Sequence, residues 1–262
     1  MDATIKNEAL EVTISSKGAE LQRIVTAEGV ELLWGGDPAV WPNHAPVCLP
    51  WCGPVEGDWF EYKGERYEAK QRHGFIREQG FSVDREGKDD VYFHLDWAGN
   101  EETWPWSFTY QVHYFLKGCE LHTVTTANNR SKTAMPVQQG FHTALLCPFL
   151  PDTVLENYQV RFESGRVLAL DEHLFNNDFI RYEEVTDWVQ IEHKETGKFL
   201  RHNTKGFSAV LLWSKPGRTG FLCVEPWTGW ANDSHDLAQR PGAILLSPCE
   251  SKSWEQIITI SI

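Results

Sequence analysis

Phe108-Thr109-Tyr110-Gln111-Val112-His113-Tyr114-Phe115-Leu116 runs through Lys117-Gly118-Cys119 into Glu120-Leu121-His122-Thr123-Val124-Thr125-Thr126. In the first run Phe108, Tyr110, Val112, Tyr114 and Leu116 fall on one face, with Thr109, Gln111 and His113 on the other. That period of two belongs to a strand with one side in a core. The second run is rich in β-branched residues, which suit a pleated surface. With Lys117-Gly118-Cys119 as the turn, the two runs predict an antiparallel hairpin.

The same chemistry recurs along the chain. Shorter runs occupy 10–14, 21–25, 91–96, 189–193, 209–213, 221–224 and 257–262. Turn signals such as Lys17-Gly18, Glu28-Gly29, Lys63-Gly64, Glu86-Gly87, Thr196-Gly197 and Pro241-Gly242 separate such runs. Many short strands joined by tight turns predict antiparallel sheets in a sandwich or barrel. Helices are few. Asn232-Asp233 is expected to cap one or two turns over 234–239, because a short side-chain oxygen accepts from free backbone N–H groups. No linker, charge block or repeat interrupts the pattern, so one β domain spanning 1–262 is more economical than two.

Composition narrows the function. Of 262 residues 41% are apolar and 13% aromatic, enough for a large core. No window approaches the roughly 18 consecutive apolar residues that a spanning helix requires, and the N-terminal residues lack the pattern of an export signal. Unpaired cysteines among apolar neighbours are expected to be buried thiols in a reduced, cytoplasmic setting. The net charge of −13 repels polyanions and excludes nucleic acid as a natural partner.

Several familiar chemistries are missing. No glycine-rich phosphate loop and no G-x-S-x-G elbow is present. His44, Cys48 and Cys52 fall close together, but they lack a second ligand pair and prolines interrupt them, so no metal is expected. Twelve tryptophans point elsewhere. The C–H face of a pyranose stacks on an indole while its hydroxyls require amides, carboxylates and imidazoles. Core packing is the bland account of the same residues.

Three segments set polar groups among apolar or glycine neighbours: Arg72-His73-Gly74-Phe75-Ile76-Arg77, Gln139-Gly140-Phe141-His142-Thr143-Ala144, and Cys223-Val224-Glu225-Pro226-Trp227-Thr228-Gly229. Glu225 follows an apolar run, and restricted hydration is expected to raise its pKa toward that of a useful base. His142 is expected to titrate near neutrality. A structural alternative weighs equally, with Glu225 paired to an arginine and His142 bonded to a backbone carbonyl.

In this order and at these separations, the three segments resemble the signature of the aldose 1-epimerase (galactose mutarotase) family, in its bacterial LacX-like branch. The stretches 32–38, 45–50, 104–108 and 174–178 also match in kind. The resemblance implies an antiparallel β-supersandwich with a sugar cleft on a concave sheet, and catalysis without metal or organic cofactor. It implies that His142 protonates the ring oxygen, that Glu225 takes the proton of the anomeric hydroxyl, and that His73 holds the sugar. Arg77, Asp178 and Trp227 follow as further contacts. Opening a cyclic hemiacetal needs one acid and one base at the anomeric centre, and a His–Glu pair suffices.

Two positions depart from the family pattern. Where relatives carry Gly-Arg this chain reads Gly53-Pro54, so a sugar-gripping guanidinium is missing, and Arg72 or Arg77 is the expected substitute. Where relatives of the branch carry His-Pro-Ala-Phe this chain reads His142-Thr143-Ala144-Leu145. The sequence therefore leaves three readings: a hexose mutarotase, a sugar-binding protein without turnover, or a sugar-phosphate mutarotase. The third would want an Arg or Lys cluster at the cleft rim, and the acidic balance of the chain speaks against it. Oligomeric state and the identity of the sugar stay open.

Overall fold

The structure is a computed structural model that describes residues 2–217 and 219–262. The hairpin forms as expected: Phe108–Lys117 pairs with Glu120–Asn129, Lys117 opposite Glu120. Gly118, with φ 58°, takes the left-handed position of the two-residue turn at no Cβ cost. Phe108, Tyr110, Val112 and Tyr114 are buried, while Thr109, Gln111 and His113 are not.

This hairpin lies inside a nine-stranded antiparallel sheet. Its order is Val167–Ala169, Tyr158–Phe162, Trp188–His193, Phe199–Asn203, Ser251–Ser261, Glu120–Asn129, Phe108–Lys117, Asp90–Trp97 and Ser82–Glu86. The strand expected over 257–262 begins earlier, at Ser251, because Ser251, Lys252 and Ser253 continue the ladder against Asn128, Ala127 and Thr126. Polar residues on the outer face of a sheet give no apolar signal, yet they pair as well as any others.

A smaller sheet carries Ile180–Tyr182, Ala209–Trp213, Phe221–Trp227, Gly140–Phe141 and Val47–Cys48, with Thr143–Leu146 also on Phe221–Trp227. All seven residues of Phe221–Trp227 are buried. Leu222 and Val224 join the same core cluster as Val112, Tyr114 and Ile258 of the large sheet. Cys223, Glu225 and Trp227 occupy the opposite face by the period of two. A strand buried on both faces reads as an unbroken apolar run, and this one accommodates a glutamate. Asp2–Lys6, Leu10–Ser15 and Leu21–Thr26 form a third sheet.

Helical structure among the described residues consists of the single 3-10 turns Glu56–Asp58, Ile76–Glu78, Leu155–Asn157 and Leu237–Gln239. The cap expected at Asn232-Asp233 is instead Asp236, whose carboxylate accepts the Ala238 N–H at 2.9 Å. Asn232 uses its oxygen in a local turn to Ser234. No helix among the described residues is long and apolar enough to cross a membrane. Cys48, Cys52, Cys147 and Cys223 are buried unpaired thiols, whereas Cys119 and Cys249 are exposed.

Candidate functional site

The smaller sheet brings His142 and Glu225 together by register. Gly140 lies opposite Trp227 and Thr143 opposite Val224, so the intervening His142 falls opposite Glu225. Directly opposed residues on one face of an antiparallel pair are side-chain neighbours. Nε2 of His142 is 3.4 Å from Oε1 of Glu225, and both side chains are almost fully enclosed. Among the described residues Glu225 meets an imidazole rather than a guanidinium, and His142 Nδ1 is buried with no partner beyond its own backbone.

Burial decides the charge of this pair. It pushes the Glu225 carboxyl well above the usual carboxylate range, with Arg72 pulling weakly the other way. The imidazole of His142 is pushed down to about 3, chiefly by burial, with a hydrogen bond to its own backbone pulling it up and the positive charges of Arg77 and Arg72 lowering it further. The expected near-neutral histidine is thus corrected: an enclosed ring between aromatic walls loses the hydration that stabilises its cation. One proton is shared by the pair across a wide pH range, and burial places it on the carboxyl.

His73 approaches the same point from a different loop. Its ring lies edge-on to His142 at 5.2 Å and to Trp227 at 5.3 Å. Its Nδ1 accepts the Gly53 N–H at 3.1 Å, and its pKa is lowered by burial, with His142 and the two arginines adding to the effect. A neutral ring that accepts at Nδ1 carries its proton on Nε2, so His73 offers one N–H donor. His73 and Asp178 both sit at positive φ, 68° and 79°, where residues other than glycine are strained.

The cavity they share has a volume of about 430 Å³. All six residues singled out in the sequence line it: His142, Glu225, His73, Arg77, Asp178 and Trp227. So do Pro54 and Arg72, one at the departure from the family pattern and the other the expected substitute. Trp41 stacks on the His142 ring at 5.1 Å and 25°. Trp227 packs over Gly140, where an added Cβ would come within 2.5 Å of the indole.

Sequence reasoning missed part of this site. Trp41, Trp213, Trp230, Arg181 and Lys215 also line the cavity, and no local pattern separates them from core or surface residues of the same type. Arg240 is buried behind the loop that carries Pro54, where it donates to the carbonyls of Cys52 at 2.6 Å and Pro54 at 3.0 Å and to Gln138 Oε1 at 3.2 Å. The departure at Thr143 acquires a role as well. Its hydroxyl donates to Gln256 at 3.1 Å, and Gln256 in turn meets the buried His202 at 3.2 Å, which anchors the strand beside His142.

Among the described residues the group able to hold a metal ion is His142, Cys223 and Glu225, whose ligand atoms lie within 4.8 Å of one another. His44, Cys48 and Cys52 form no such group. Burial pushes the Cys223 thiol well up, so the thiolate that a metal would require is disfavoured.

Two antiparallel sheets around a shared core define the galactose mutarotase-like class of all-β proteins. The chain belongs to the aldose 1-epimerase family, whose sequence model matches residues 1–186, and to its LacX-like branch. The matched residues include His73, Arg77, His142 and Asp178, while Glu225 and Trp227 lie beyond them. The plasmid protein LacX of Lactococcus lactis subsp. lactis is 26% identical, with 99% of each chain covered. The galactose mutarotase related enzyme of Lactobacillus acidophilus is also 26% identical and superposes with a TM-score of 0.94 over 100% of this chain and 98% of its own. A galactose mutarotase-like protein from Lactobacillus casei shares the fold at 23% identity, with a TM-score of 0.89 over 99% and 100% of the two chains.

Proposed function

We propose that the chain acts as a single galactose mutarotase-like domain that interconverts the α and β anomers of a hexose. The observation that carries this reading is the 3.4 Å contact of His142 with Glu225 inside a cleft rich in tryptophan. The anomeric hydroxyl and the ring oxygen are bonded to the same carbon, so the groups that serve them must be neighbours. A side-by-side pair facing one sugar meets that requirement.

Glu225, as carboxylate, takes the proton of the anomeric hydroxyl while His142, as imidazolium, delivers one to the ring oxygen, and the C1–O5 bond opens. The aldehyde end then rotates, and the two groups exchange roles as the ring closes on the other face. In the ring-opened state the proton sits on Glu225 and His142 is neutral. Burial favours that state in the free protein as well, so the ion pair forms only transiently and its collapse to the neutral pair accompanies the opening of the ring. His73 donates from Nε2 to a sugar oxygen, Asp178 and Arg77 engage hydroxyls, and Trp227 gives an apolar face. The exchange is redox-neutral and moves only protons, so these side chains supply the chemistry without a cofactor.

Fresh α-glucose and α-galactose are expected to reach equilibrium rotation faster with the protein than in buffer alone. A protein that binds hexoses but leaves the rotation curve unchanged would be a sugar-binding member of the fold rather than an enzyme.

A further inference from the structure

Opening the sugar ring asks His142 to become an imidazolium in surroundings that oppose it. Burial disfavours the cation, and the positive charges of Arg77 and Arg72 act in the same direction. His73, the other titratable ring beside it, is itself held neutral by burial. Glu225, at 3.4 Å, favours the cation only as a carboxylate, and burial keeps its proton on. The polar neighbours therefore leave the acid step with little support.

Aromatic rings complete the surroundings of His142. Trp213 meets the imidazole almost at right angles, at 5.6 Å and 75°. Trp41 lies nearly parallel to it, with ring centroids 5.1 Å apart and planes 25° apart. The face of an indole is negative, and a cation within about 6 Å of it is attracted, most strongly where water is excluded. A neutral imidazole gains far less, so the stack favours the charged form over the resting one, and such a difference lowers a barrier. The half-buried Trp41 is held from its backbone: its N–H donates to the Asp37 carbonyl at 2.7 Å, and its own carbonyl accepts from Trp34 Nε1 at 2.8 Å. Phe221 packs against it at 5.6 Å and 21°. We infer that Trp41 is a positioning residue for the acid step, acting through His142: its indole face holds the imidazole ring and stabilises the transient imidazolium. The inference rests on the mutarotase reading, in which His142 is the acid.

Anomer exchange of glucose and galactose is followed by NMR in Trp41→Leu, in Trp41→Phe and in protein carrying a fluorinated tryptophan at position 41 alone. Fluorine withdraws electron density from the face of the indole while leaving its shape almost unchanged. Trp41→Leu is expected to lower kcat about tenfold, the scale of a cation–π contact shielded from water, with KM altered by no more than about twofold. Trp41→Phe is expected to fall between the two, and kcat to drop further with each fluorine added. Melting curves establish that each protein is folded during the assay; should Trp41→Leu not fold, the fluorinated series decides. An undiminished kcat in Trp41→Leu or in the fluorinated proteins overturns the inference and leaves the mutarotase reading standing. A raised KM at constant kcat also overturns it, by assigning Trp41 to the sugar instead. No acceleration of either sugar by the unaltered protein removes the mutarotase reading, and the role of Trp41 with it.

Discussion

His142 Nε2 lies 3.4 Å from Glu225 Oε1 because the strands on either side of His142 and the strand of Glu225 share one antiparallel register, from Gly140 opposite Trp227 to Thr143 opposite Val224. The pair is thus built into a sheet rather than hung on loops. Rigid elements hold catalytic groups within the small tolerances that proton transfer requires.

Glu225→Gln is expected to abolish anomer exchange and to raise thermal stability. The folded-state pKa of Glu225 lies above its unfolded value of 4.5, so its contribution is full below that value and lost as pH rises. Each pH unit above it, up to the folded value, costs about 1.4 kcal/mol, and a neutral amide of the same shape escapes that cost. Polarimetry and a melting curve at pH 7 check both halves. A variant of lower Tm would contradict the protonation state assigned here.

The pH profile of kcat/KM is expected to lack the acid limb of an ordinary carboxylate. The pair must hold one proton, and it does so from about 3, where His142 titrates, up to the raised pKa of Glu225. Activity therefore persists through mildly acidic pH and falls on the alkaline side, as the last proton leaves. A profile that drops near pH 4.5 and stays flat above would show Glu225 titrating as if exposed.

Acid should weaken the fold through its buried histidines. His202 is held neutral down to about 3 by burial, whereas in the unfolded chain it protonates below 6.5. The unfolded state thus binds the extra proton as pH falls through that window, and stability declines by up to about 1.4 kcal/mol per pH unit for such a group. Urea unfolding at pH 7 and pH 5 measures the slope, and His202→Gln is expected to make it shallower.

Arg240→Ala is expected to destabilise the protein by about 2–4 kcal/mol, since two backbone carbonyls and the Gln138 amide lose a buried charged donor. The loop it clamps carries Gly53, the donor to His73, so sugar affinity should fall as well. Denaturant unfolding together with ligand titration tests the two effects. A fold of unchanged stability would mean that water replaces the guanidinium there.

Gly140→Ala should displace Trp227. The new Cβ would stand 2.5 Å from the indole and 2.9 Å from the Cys52 sulfur, and overpacking of this kind costs about 1–3 kcal/mol. Weaker sugar binding with altered tryptophan fluorescence is the expected result. Unchanged binding would remove Trp227 from the sugar contacts.

The elements legible in the sequence are those whose two faces differ. Phe108–Lys117 alternates because one face meets the core and the other does not, and its partner follows after a turn that glycine makes possible. Phe221–Trp227 was seen only as far as Val224, since a strand enclosed on both sides loses its alternation and Glu225 interrupts the apolar run. At the site, the three segments supplied His73, Arg77, His142, Glu225 and Trp227. Trp41, Trp213, Arg181 and Lys215 stayed hidden, because a tryptophan or a cation facing a cleft is written like one facing the core or solvent.

What the sequence determined by itself is the antiparallel all-β plan and the identity of the side chains fit for acid–base work, because periodicity, turn residues and side-chain chemistry are local properties. Only the tertiary structure decided their environment. Strand register set the 3.4 Å spacing, enclosure moved the Glu225 proton affinity up and that of His142 down, and the folding of distant loops gathered four cations around one cavity. Hydration and Coulomb interaction depend on what surrounds a group in space, and that surrounding exists only once remote segments have packed.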